Sequence, residues 1–115
     1  NGLLALFLID PNTSLLENNV AVNLRRKYAD GCYFFNTPKA EVDFYIPDES
    51  TAIQVAYSIS DQDTRKREIA GLVALSDYQN VKHLLIVTKD EEESLEVNGK
   101  TISVTPLWKW LLSIN

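Results

Sequence analysis

The segment His83-Leu84-Leu85-Ile86-Val87-Thr88 constrains this chain more than any other. It is a short, continuous apolar run without polar alternation, which is the pattern of a strand buried on both faces. Parallel strands are buried in this way because crossover helices cover the sheet. The preceding stretch supplies such a helix. Ile69, Leu72, Val73 and Leu75 recur at helical spacing, Ser60 or Asp61 offers an N-cap, and the pattern predicts a helix over residues 63–76. Ahead of it, Thr51–Ile59 reads as a strand that follows the turn residues Pro47-Asp48-Glu49-Ser50.

The other segments extend this pattern. Ser14 with Glu17 three residues later fits a capping box, so a helix is expected over residues 15–29, ending before Gly31. Cys32–Phe35 and Val42–Ile46 are aromatic and β-branched runs expected as strands. Leu95–Val97 and Thr101–Val104, joined through Asn98-Gly99, give a two-residue hairpin signal, and Pro106 opens a short terminal helix. Leu3–Ile9 reads as one or two helical turns. The order α, β, β, β, α, β, β, β, α predicts an α/β fold: a mixed central sheet flanked by helices, in one domain spanning residues 1–115.

Composition removes several classes. Hydrophobic residues at 45% and charged residues at 23% suit a packed domain rather than a disordered tail or coiled coil. The longest apolar run, Leu3–Ile9, is far below the roughly 18 residues of a membrane span. One cysteine excludes an internal disulfide and any Cys-rich metal site, which points to a reducing, cytoplasmic setting. The absence of methionine is expected of a piece of a longer chain. A net charge of -5 argues against a free-standing nucleic-acid binder. Arg25-Arg26-Lys27 and Arg65-Lys66-Arg67 are nonetheless local basic clusters, and Asp90-Glu91-Glu92-Glu93 concentrates acid in one expected loop.

The candidate chemistry begins in the first helix. Leu16, Val20, Ala21, Leu24 and Tyr28 fill one arc, and Glu17 falls near its middle, an unusual place for a carboxylate other than a cap. In the strand Glu41-Val42-Asp43-Phe44-Tyr45-Ile46, strict alternation puts Val42, Phe44 and Ile46 on one face and Glu41, Asp43 and Tyr45 on the other. If the turn closes Ile46 on Thr51, Asp43 stands opposite Gln54 and Glu41 opposite Ala56. Cys32, among Tyr33, Phe34 and Phe35, reads as a packed thiol, and His83 lacks a companion ligand. Trp108 and Trp110 are expected to dock the terminal helix.

A helix acid, a strand Asp and then a strand tripeptide follow the order of the PD-(D/E)XK nuclease superfamily. More closely, the strings Leu16-Glu17-Asn18, Leu24-Arg25-Arg26, Ala40-Glu41-Val42-Asp43-Phe44, Tyr57-Ser58-Ile59-Ser60 and Pro106-Leu107-Trp108-Lys109-Trp110-Leu111 resemble the C-terminal domain of unknown function of prokaryotic AAA-type ATP-binding proteins. The resemblance implies a restriction endonuclease-like core and an upstream ATPase domain that binds ATP. This chain has no Gly-rich phosphate loop of its own.

Carried over by position, Glu17 and Asp43 match the acids that hold Mg²⁺ or Mn²⁺ in active members. Where relatives often have Glu-Val-Lys, this chain has Gln54-Val55-Ala56. A neutral amide replaces a ligand carboxylate, and the lysine that would orient water and stabilise developing charge is missing. Lys39 or Lys66 would have to stand in for that lysine, and Glu41 for the carboxylate. The resemblance therefore implies a catalytically degenerate nuclease-fold domain, not itself an enzyme, serving a larger ATPase as a binding or regulatory module. The alternatives are a metal-dependent nuclease with migrated residues and a protein-interaction or structural domain that never meets nucleic acid. Nucleic-acid contact, where it occurs, is expected at Arg25, Arg26, Arg65 and Arg67.

Overall fold

The computed structural model describes residues 11–36, 41–78 and 81–114. Their elements are α1 (Pro11–Tyr28), β1 (Tyr33–Asn36), β2 (Glu41–Ile46), β3 (Thr51–Val55), α2 (Gln62–Tyr78), β4 (His83–Thr88), β5 (Glu93–Val97), β6 (Lys100–Pro106) and α3 (Leu107–Ile114). The apolar run Leu3–Ile9 and Lys39 lie outside the described residues.

The apolar run His83–Thr88 is the centre of the sheet. β4 lies between β3 and β6 and is parallel to both, in a six-stranded order β1-β2-β3-β4-β6-β5 with antiparallel strands outside. Leu84 and Ile86 face α2, packing with Ala52, Ala56, Leu72, Leu75 and Val104. Val87, with Leu85 beside it, faces α1 and α3 and packs with Leu16, Val20, Leu24, Ile53 and Trp110. Two cores on opposite faces of one strand explain why its sequence does not alternate. This is the α/β class and mixed sheet expected.

The ends of the elements depart from the sequence pattern for local reasons. α1 starts at Pro11, earlier than residue 15, because proline suits the first helical turn. Ser14 and Glu17 are thus both inside the helix, and the Ser14–Glu17 capping box is not formed. At its far end the left-handed residue is Ala29 (φ 51°), not Gly31. α2 is capped by Asp61: its Oδ2 accepts the Thr64 N–H at 2.9 Å and the Thr64 hydroxyl at 3.0 Å. β3 stops at Val55 rather than Ile59. Ala56 N–H still reaches Val87 O (3.0 Å), but Tyr57 N–H turns to the Thr13 hydroxyl (3.0 Å) and Ile59 N–H to the Glu91 carboxylate (2.7 Å). The Asn98-Gly99 turn has both residues at positive φ, 52° and 77°, and pairs Val97 with Lys100 as its sequence predicts.

Strict alternation fails in β2. Between Tyr45 and Val42 it takes three steps where β1 takes two, Tyr33 to Phe35, so Asp43 and Phe44 form a bulge. The extra residue flips the register of faces. Phe44 and Ile46 pack toward α1 and α3, whereas Val42 joins the core under α2, contrary to the expected single face for all three.

Candidate functional site

The expected β2–β3 register is present. Ile46 pairs with Thr51, Tyr45 with Ala52 and Phe44 with Ile53, and the ladder runs out where Asp43 meets Gln54. The bulge takes the backbone out of hydrogen-bonding range there, and two side chains replace the ladder. Gln54 Oε1 accepts the Asp43 N–H at 3.0 Å, and Asp43 Oδ2 accepts the Val55 N–H at 2.8 Å. Each residue thus satisfies a backbone donor that the bulge would otherwise leave unpaired. Gln54 is buried at 3% exposure, and its Nε2 makes a long 3.5 Å contact with the Glu68 carbonyl of α2.

Glu17 is half-buried on α1, four residues beyond Thr13. α1 is anchored at Tyr57 by Thr13, and its other end, Leu24 and Tyr28, shares a groove with Ile46 and Thr51, so it runs antiparallel to β3. At the far end of the helix Lys27 turns to the α3 terminus and donates to Ile114 O at 2.8 Å.

Ala56, which stands where the resemblance would put a lysine, is 3% exposed and packed in the core with Ile59 and Leu72. Lys66 is exposed on α2. Glu41 lies in β2, and its side chain is outside the described set. Among the described residues, no group of three or more His, Cys, Asp and Glu side chains is placed to hold a metal ion. Hard cations such as Mg²⁺ require several oxygen ligands in near-octahedral array. A neutral amide whose oxygen already accepts a backbone N–H, beside a carboxylate with one oxygen engaged, is a poor donor set for that purpose.

The basic residues separate. Arg25 and Arg26 are exposed on α1, on one face of the sheet, and Arg65 and Arg67 belong to α2 on the other. Arg65 makes a two-pronged bond to Glu93, at 2.8 and 3.1 Å, and Arg67 Nε lies 3.5 Å from Glu68. The pair keeps the Arg65 guanidinium pushed up and, chiefly through that hydrogen bond, the Glu93 carboxyl pulled down from their ordinary values. These groups do not form one continuous cationic surface. His83 is exposed, and burial pushes the Cys32 thiol up from its ordinary value. Trp110 docks α3 at 2% exposure, whereas Trp108 is 60% exposed and does not.

Sequence reasoning passed over Glu68 and Glu91. Glu68, placed in a charge cluster by sequence, has a side chain only 12% exposed; its position four residues before Leu72, on the buried stripe, was the available signal. Glu91, read as part of a charged loop, instead accepts Ile59 N–H at 2.7 Å and the Ser58 hydroxyl at 3.2 Å. A separate groove of about 520 Å³, whose lining includes Ile53, His83, Leu85 and Trp110 but neither Asp43 nor Gln54, lies over the amino-terminal ends of β3 and β4. No described helix is long and apolar enough to cross a membrane. No family model, curated protein or solved structure matches this chain.

Proposed function

We propose that this chain is a non-catalytic module on a restriction endonuclease-like framework, attached to a larger AAA-type ATPase and acting by binding. The observation that carries the proposal is the Asp43–Gln54 exchange of side-chain bonds for backbone ladder bonds. In a metal nuclease those oxygens would face a cation that polarises phosphate and activates water. Here Gln54 Oε1 and Asp43 Oδ2 hold two strands together, and buried Ala56 supplies no cation beside them. What remains of the nuclease constellation works as structure.

Calorimetric titration with Mn²⁺ tests this, with a cleavage assay on single- and double-stranded DNA and RNA run alongside. The chain is expected to show no saturable Mn²⁺ binding and no cleavage. Metal binding and cutting that disappear together in Asp43→Ala would overturn the proposal in favour of a working nuclease. The double variant Gln54→Glu, Ala56→Lys asks whether the architecture still accepts metal once the missing charges return.

A further inference from the structure

We infer that the outward face of α1 is a docking surface for an acidic, amphipathic segment of a partner protein. Arg25 and Arg26 are exposed, and neither enters an ion pair with another described residue. The remaining exposed side chains on that helix include no acid. Four other cations each meet an acid: Arg65 meets Glu93, Arg67 Glu68, Lys100 Asp77 and Lys109 Glu92. In a chain of net charge -5, two adjacent arginines with no ion-pair partner among the described residues form a positive site.

The site is not only cationic. Leu15 is 72% and Val22 49% exposed, on the side of α1 away from Leu16, Val20 and Leu24. Leu15, Asn18 and Val22 follow one another at spacings of three and four, and Arg25 and Arg26 lie three and four residues beyond Val22, a stripe about 16 Å long. Asn18, Ala21, Val22, Arg25 and Arg26 line a shallow depression of about 410 Å³. The last-turn position of the arginines suits the helix dipole, which accounts for cations there but not for exposed leucine and valine on the same stripe. An apolar ridge ending in paired arginines matches a helix that carries apolar residues on one face and carboxylates beside them.

Nucleic acid fits less well. Affinity for a duplex rises with each phosphate neutralised, and Arg65 and Arg67 lie on α2, beyond the sheet, already engaged by acids. Leu15 and Val22 offer a phosphate backbone nothing.

This inference rests on the binding-module reading, yet the two fail separately: metal-dependent cleavage would end that reading, and the following titration tests the α1 face alone. The probe is a synthetic leucine–glutamate amphipathic helix added to the ¹⁵N-labelled chain, with a scrambled peptide, a lysine-for-glutamate peptide and duplex DNA as parallel arms. Saturable shifts are expected at Leu15, Val22, Arg25 and Arg26 with the acidic amphipathic peptide and with no other arm. Charge reversal, Arg25→Glu with Arg26→Glu, is expected to weaken binding by about tenfold or more, and Val22→Asp should do so independently. All four positions point to solvent, so the unperturbed remainder of each variant's spectrum reports an intact fold. No shifts, shifts elsewhere, equal binding by the scrambled peptide, indifference to charge reversal, or tighter binding of DNA at these residues would each overturn the inference.

Discussion

Asp43 and Gln54 show how a residue type expected for chemistry becomes a residue needed for folding. The bulge leaves the N–H groups of Asp43 and Val55 without ladder partners, and each finds one in the other strand's side chain. An unmade hydrogen bond at a buried donor costs about 1–3 kcal/mol. Gln54→Ala and Asp43→Ala are each expected to lower unfolding free energy by about that amount, measured by urea denaturation. The double variant should lose less than the sum, because both bonds close the same gap in the sheet. Adding EDTA is expected to change none of these values. A large stabilisation of the native chain by Mn²⁺, absent from both variants, would instead mark a metal site. The register that brings these residues together was legible, since turn length and apolar alternation specify Ile46 opposite Thr51. The bulge was not: nothing in Val42-Asp43-Phe44 breaks the pattern of two, and the inversion of Val42 appears only once β1 is paired.

Element ends follow local chemistry more closely than periodicity. α2 was placed within a residue or two because Asp61 is a strong cap beside a clear apolar stripe. The start of α1 departs from the sequence pattern because a capping-box spacing lies inside the helix, whereas its end at Tyr28 falls within a residue of the expected Ala29. The Asp61 cap has a pH consequence. Bonds from the Thr64 N–H and hydroxyl hold its carboxyl below the usual 3.8. A depressed native value means that the unfolded chain takes up the proton first. The cap's contribution is therefore complete above the unfolded value and lost as pH falls through the lower, folded one. Amide protection at Thr64 and Arg65, corrected for intrinsic exchange, is expected to fall on acidification through that window. Asp61→Asn keeps an acceptor oxygen without the titration, so its protection should stay flat there. A fall of equal size in Asp61→Asn would assign the effect to another carboxylate.

At the scale of the whole molecule, the acidic run Asp90–Glu93 works as a clasp at the carboxyl end of the parallel strands. Glu93 meets Arg65 of α2, Glu92 meets Lys109 of α3, and Glu91 holds Ile59 and Ser58 in the segment that leaves β3. Sequence alone showed four consecutive acids and the solvated loop they usually make; their partners come from elements brought together only by the sheet order. Magnitudes rank the three links. Exposed ion pairs contribute little, because water already solvates both charges and two long side chains must be ordered. Glu91 differs because it serves Ile59, a residue 1% exposed, whose N–H has left the β3 ladder. Thr88 reinforces the corner, its hydroxyl accepting the Glu91 N–H at 3.0 Å and donating to the Glu91 carbonyl at 2.9 Å. Glu91→Ala is expected to cost about 1–3 kcal/mol, whereas Glu92→Ala and Glu93→Ala should shift the urea midpoint barely at all. In the Glu91 variant, exchange should accelerate first at Ile59 and then at the first turn of α2, because the segment between them loses its anchor. Equal loss from all three substitutions would mean that the run acts through its total charge, and raising the ionic strength would then erase the difference from the native chain.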